Sequence, residues 1–138
     1  MATSYRGADG KVTLGSNTIS LMGTWSMSGI QTDLGETTAF GDEWKQFRPM
    51  LKDGGTISFN GLFDGTDTAG QTALRNYNAA NTSVSDIRFY VDDNSYYIPS
   101  TTNPLSYVWI TEWNVDSDKA QLVTASFSCK VSGKMVLV

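Results

Sequence analysis

Carboxylates come in close pairs along the chain: Asp42 with Glu43, Asp64 with Asp67, Asp92 with Asp93, and Asp116 with Asp118. Two carboxylates at short range can act as the acid and base of a glycosidase or hold calcium. Every pair, however, falls in a predicted turn or cap, where aspartate is favoured because it accepts local backbone hydrogen bonds. The stretch from Asp64 to Gln71 lacks the ligand alternation and terminal glutamate of an EF-hand loop. Histidine is absent, which removes the commonest general base and transition-metal ligand. The single cysteine, Cys129, lies on the apolar side of an alternating strand and has no histidine to activate it, so it reads as a buried, inert thiol. Gly54-Gly55 precedes a strand and not a helix, so it is no phosphate loop. The expectation is a protein with no catalytic residues, no metal and no cofactor.

The aromatic residues divide into two groups. Trp25, Trp109 and Trp113 fall on the apolar faces of predicted strands, which points to core packing. Trp44 and Phe47 lie with Leu51 in a stretch, residues 35–53, that reads as a long loop with little regular structure. Pro49 argues against a helix through it, although Trp44, Phe47 and Leu51 have helical spacing. Aromatics on such a loop suit a carbohydrate-binding module or a docking surface in an oligomer.

These side chains must be positioned by strands, because the pattern is mostly of period two. Thr56 to Phe63 puts Ile57, Phe59 and Phe63 on one side and Thr56, Ser58 and Asn60 on the other. Trp25 and Met27 oppose Thr24, Ser26 and Ser28 in the same way, and Val123 to Val131 oppose Thr124, Ser126 and Ser128. The polar sides are small and uncharged; they are either an ordinary wet sheet face or a smooth surface that must not bind. Shorter strands are expected at Lys11–Leu14 and Thr18–Met22, with Ile19 and Leu21 on one face of the second. Residues 86–98 read as a hairpin. Leu105 to Val115 is the longest strand, with Leu105, Tyr107, Trp109, Trp113 and Val115 on one face and Val108, Ile110 and Glu112 opposite. Met135 to Val138 is a last strand or a tail docked on a neighbour, and Asp9-Gly10 suits a turn. Thr68 and Gln71 have capping-box spacing, so the one helix is expected over about residues 68–80, with Ala73, Leu74, Tyr77 and Ala80 as its apolar stripe. The sum is about eight strands and one helix. The fold class is mainly β: two antiparallel sheets forming a sandwich or flattened barrel, with one flanking helix.

Composition sets further bounds. At 138 residues the chain suits a single domain with a real core. A net charge of −4, with ten Lys and Arg scattered and no basic run, disfavours tight binding of nucleic acid. A lone cysteine excludes an intrachain disulfide and fits assembly in a reducing compartment. The first residues, MATSYRGADGK, lack the apolar core of a signal peptide, and no apolar run approaches the length of a membrane span.

The order of elements resembles the major tail tube proteins of long-tailed, non-contractile bacteriophages. The resemblance is carried by the strand with Trp25, TDLGETTAFGDEW at 32–44, LKDGGTISFNGLFD at 51–64, the helix around Leu74, and Ala125-Ser126-Phe127 followed by Ser132-Gly133. It implies a β-sandwich with one flanking helix, assembled as hexameric rings that stack into a tube conducting DNA, with partners at tail tip, tape measure and terminator. It implies that the 35–53 loop, with Trp44, Phe47 and Leu51, reaches a neighbouring subunit or ring. Tyr5, Arg6, Met135 and Val138 become candidate contacts between rings, and Thr24, Ser26, Ser28, Thr56, Ser58 and Asn60 become candidates to face the lumen. Related tubes serve contractile tails and type VI secretion. The competing reading is a monomeric carbohydrate-binding or adhesive sandwich.

Overall fold

A computed structural model describes residues 4–7, 10–102 and 104–138. The expected turn at Asp9-Gly10 includes Asp9, which lies outside the described residues. The elements are β1 (Lys11–Leu14), β2 (Asn17–Thr18), β3 (Met22–Ser28), β4 (Gln31–Glu36), β5 (Phe47–Asp53), β6 (Thr56–Leu62), α1 (Gln71–Ala79), β7 (Ile87–Tyr90), β8 (Tyr96–Pro99), β9 (Tyr107–Asp116), β10 (Thr124–Ser132) and β11 (Met135–Leu137). One sheet runs β11-β8-β7-β1-β2, a second runs β3-β6-β10-β9, and β4-β5 stand apart as a two-stranded ribbon.

The first two sheets form a sandwich because their alternating apolar sides meet. Val12, Leu14, Ile87 and Phe89 from one sheet bury against Ile57, Phe59, Ala125, Phe127 and Cys129 from the other. Phe59 is the centre: its ring centroid lies 5.5 Å from Phe89 across the gap and 5.4 Å from Phe127 on the next strand. Burying one such side chain contributes about 2–3 kcal/mol. Trp25 closes the same cluster 5.7 Å from Phe89, as its apolar side predicts.

The helix covers one flank, where Leu74 is buried and the Asn78 side chain donates to the Ile110 carbonyl at 2.8 Å. It begins later than expected, and Thr68 does not cap it. Gly70 is the N-cap residue and supplies no side-chain bond. The acceptor is the Asp67 carboxylate, which takes the N–H groups of Gln71 at 3.2 Å and of Ser20 at 2.8 Å. Gln71 is wholly buried: its Oε1 accepts from Asp64 N at 3.0 Å, and its Nε2 donates to Ser20 O at 2.8 Å and Leu62 O at 2.9 Å. One amide thus ties the helix start to the end of β6 and to the turn at Ser20.

Two strand expectations change. The Thr18–Met22 strand breaks after Thr18, because Leu21 takes a positive φ of 61° and points to solvent while Ile19 is buried. The Leu21 carbonyl instead accepts Leu62 N–H at 3.0 Å over Gly61, where any side chain would collide with that oxygen. In β9 the expected face does not hold. Val108 and Ile110 are the buried residues, paired with Val131 and Cys129. A β-bulge at Thr111 then shifts the register, so that Trp113 and Val115 stand opposite the inward Phe127 and Ala125. Tyr107 and Trp109 are left on the outer side of the sheet, and only Trp113 and Val115 of the expected group turn toward the core edge.

Candidate functional site

Residues 35–53 are not an irregular loop. They hold the end of β4, a tip, and all of β5. Sequence reasoning missed these strands because alternation reports burial, and from Ile30 to Lys52 every residue except the half-buried Gly35 is exposed. Pro49 is tolerated because a two-stranded ribbon consists only of edge strands. Trp44, Phe47 and Leu51 are 78%, 52% and 82% exposed, so the structure brings the three predicted contact residues to one projecting arm. The arm also exposes Ile30, Leu34, Phe40 and Met50, which were not singled out. Phe40 had a visible signal: an aromatic residue directly before the Gly41-Asp42 turn, where polar residues are the rule. An isolated ribbon of this kind is marginal in water, and a surface so rich in apolar side chains marks an interface.

The arm is rooted in the sandwich. Ser28 pairs with Thr56 and Gln31 with Asp53, so β4-β5 prolongs the β3-β6 ladder past a break at Gly29 and Gly55. Both glycines have positive φ, 76° and 93°, and a side chain at Gly55 would strike the Ser28 carbonyl. Asp53 fixes the break by accepting Gly55 N–H at 2.8 Å and the Lys130 ammonium at 2.6 Å. The Lys130 hydrogen bond, then that from Gly55, hold the Asp53 carboxyl below its usual range. A carboxyl held lower in the folded state stabilises it above the unfolded pKa of about 4, and the effect fades as pH falls through and below that value. The protection of the β4 and β5 amides, taken relative to the intrinsic exchange rate at each pH, should therefore fall below about pH 4 in the natural chain. Asp53→Asn should show faster exchange at neutral pH, and its difference from the natural chain should shrink on acidification. A constant difference between neutral and acid pH would remove Asp53 from the root.

A second surface is the outer side of the β3-β6-β10-β9 sheet. Register places Thr24, Asn60, Ser126 and Asn114 in one row, Ser26, Ser58, Ser128 and Glu112 in the next, and Ser28, Thr56, Lys130 and Trp109 in a third. All six predicted polar-face residues therefore share one continuous surface, with Ser58 and Ser128 hydroxyls 3.5 Å apart. Lys130 is paired with Asp53, whereas Glu112 and Asp116 lie on β9 toward one edge. Trp109 and Tyr107, with ring centroids 5.7 Å apart at one corner, are bulky exceptions, and they were missed because the bulge is silent in the sequence.

The terminal candidates fare differently. Tyr5 and Arg6 are exposed and line a cleft beside Trp25. Met135 to Val138 is not a free tail. Met135–Leu137 pair with Pro99, Ile98 and Tyr97, and Val138 exchanges two hydrogen bonds with Tyr96. Met135 packs against the core and Val136 is half-buried, while Leu137 and Val138 stay exposed.

The carboxylates serve turns. Asp64 accepts the Thr66 hydroxyl at 2.6 Å and the Thr66 N–H at 2.9 Å, which hold its carboxyl low, the hydroxyl first. Asp92 accepts from Asn94 and Ser95, Asp118 from Ala120, and Asp42 from Ala39. Burial pushes the Cys129 thiol up to about 12, and its Sγ donates to the Ile57 carbonyl at 3.5 Å. Among the described residues no three His, Cys, Asp or Glu side chains cluster as a metal site. The arrangement offers surfaces for contact and no constellation for bond chemistry.

No family model and no curated protein matches the chain by sequence. Solved structures do match by fold. A chain of the virion of a native gene transfer agent particle superposes with a TM-score of 0.75 at 13% identity, covering 98% of this chain and 99% of that one. A chain of the tail of an empty gene transfer agent particle, refined with C6 helical symmetry, gives 0.73 at 14%, covering 98% and 99%. The chain has a tail-tube fold. A chain of the extended sheath–tube complex of an extracellular contractile injection system matches too, at 0.71 and 13%, covering 99% and 90%. The tail-tube fold is therefore common to contractile and other machines, and at these identities the likeness is one of architecture. The comparison does not select the non-contractile line to which the sequence motifs point.

Proposed function

We propose that the chain is the structural subunit of a bacteriophage-type tail tube, stacking as rings, six to a ring, around a lumen that conducts DNA. The observation that carries this is a tail-tube sandwich bearing a projecting arm whose apolar side chains have no cover in the isolated chain. The edges of the second sheet support it: among the described residues β3 pairs on one side only, and the outer side of β9 is met only near its start, by the bridge from Val108 to Val84 and the Asn78 bond to Ile110. Closing a ring of copies pairs such edges, which otherwise invite uncontrolled association.

The small polar rows of the second sheet suit the lumen. Its one lysine is neutralised by Asp53, while Glu112 and Asp116 leave the surface acidic, so phosphates are repelled and do not stick. The partners are other copies of the chain and, at the ends of the tube, terminator, tape measure and tail tip proteins. Among the described residues no helix is long and apolar enough to cross a membrane. The protein works in the virion tail, non-contractile by its sequence motifs, and carries out no reaction.

Electron microscopy and light scattering of the concentrated protein test the proposal. Rings or tubes with a central hole are expected. A strict monomer at every concentration, or reproducible binding across a glycan panel by that monomer, would favour the adhesive sandwich.

A further inference from the structure

We infer that the cleft at the start of β3 receives the hairpin tip of a second copy of this chain, with Phe40 entering it and the acidic residues beside Phe40 meeting the basic rim. The inference rests on the reading of the chain as a self-assembling subunit and adds the site at which the copies join.

The cleft encloses about 330 Å³ and is lined by Tyr5, Arg6, Lys11, Met22, Trp25 and Tyr90, among others. Its floor is fixed in advance. The Trp25 indole N–H donates to the Tyr90 carbonyl at 3.0 Å, and the Lys11 ammonium sits 4.6 Å from the Tyr90 ring centre. Aromatic walls with Arg6 and Lys11 at the rim suit an aromatic side chain flanked by negative charge. The hairpin tip has that composition. Phe40 is fully exposed, with Glu36 before it and Asp42 and Glu43 after it. The tip is closed by its own bonds: Thr37 N–H to Gln46 O at 2.8 Å, Gln46 N–H to Thr38 Oγ1 at 2.9 Å, and Ala39 N–H to Asp42 Oδ2 at 2.6 Å. Phe40 is therefore held outward on an ordered turn, which lowers the entropy lost on docking.

Direction agrees with this pairing. The arm leaves β3 beyond Ser28, whereas the cleft lies at Met22 to Trp25, the opposite end of the same strand. Tip and cleft therefore belong to opposite ends of the sandwich. A contact between them is head-to-tail, and repeating it propagates in one direction.

The test uses the full chain and reads the concentration at which half of it assembles, by light scattering and sedimentation at low salt. Phe40→Ala removes the plug. Gly23→Phe fills the cleft at a position where a Cβ meets nothing within 4 Å, so the backbone need not move. Each should raise the half-assembly concentration about tenfold or more. Arg6→Glu with Lys11→Glu, or Glu36→Lys with Glu43→Lys, which leaves the Asp42 turn bond in place, should do the same. Combining the two reversed pairs should restore assembly to within about threefold of the unaltered chain. If the unaltered chain assembles and both Phe40→Ala and Gly23→Phe assemble equally well, the docking site is wrong and the subunit reading survives. Failure of the combined charge reversal to recover also overturns the pairing. If the unaltered chain never assembles, both readings fall. Should Gly23→Phe not fold, the charge pairs, none of them buried in the core, decide the matter.

Discussion

Replacing Trp44 and Phe47 together with alanine should abolish ring formation at concentrations where the unaltered chain assembles, with the circular dichroism of the isolated chain unchanged. Both residues lie on the β4-β5 arm, where they touch no part of the buried core. Truncating them therefore removes nothing that holds the sandwich together, and a melt of the monomer should move little. In an assembly the same side chains become buried anchors. Aromatic anchors at an interface commonly cost about 2–4 kcal/mol each on truncation, though the values do not add. Even the lower figure raises the concentration needed for assembly by about 30-fold. Leu51→Ala should act in the same direction by less, since it forgoes an aliphatic contact only. Assembly of the double variant at the natural concentration would take the two aromatics out of the interface.

The largest loss of stability should come from Gln71. Its amide satisfies three backbone groups, from Asp64, Ser20 and Leu62, at a site with no exposure to solvent. Gln71→Ala leaves those groups unpaired beside a cavity, at about 1–3 kcal/mol for each orphaned group before the structure relaxes. A net loss of about 3–5 kcal/mol is expected, against about 5–15 kcal/mol for a whole domain. Gln71→Glu should be no milder, because a carboxylate offers no donor to the two carbonyls and carries a buried charge. Urea unfolding of dilute, unassembled protein measures this. A change in ΔG below about 1 kcal/mol would show that the helix start is held by Asp67 alone.

Much of the sandwich was legible because burial writes a period of two into the strands. β6 and β10 could be read from Ile57, Phe59 and Phe127 alternating with small polar residues, and β7 from Ile87 and Phe89 alternating with Arg88 and Tyr90. The arm was not legible as strands for the same reason, since no side of it is buried against its own chain. Its role was more readable than its structure: Trp44, Phe47 and Leu51 stood out because aromatics in a stretch without a core pattern need a partner. The face of β9 could not be read, because the extra residue at Thr111 shifts alternation without leaving any trace in residue type. The helix start was misplaced by two residues: Thr68 has capping-box spacing with Gln71, but the N-cap falls on Gly70 and the Gln71 N–H is met by the Asp67 carboxylate, which Ser20, nearly fifty residues away, shares.

The bearing of the arm is set by backbone at Gly29 and Gly55 and by the single latch from Lys130, not by packing of its own side chains. It is therefore separable from the body that carries it. A graft exchanging residues 31 to 52, which leaves Asp53 and both glycines in place, for the equivalent appendage of another tube protein would re-address the building block to new neighbours while its melting behaviour stayed the same.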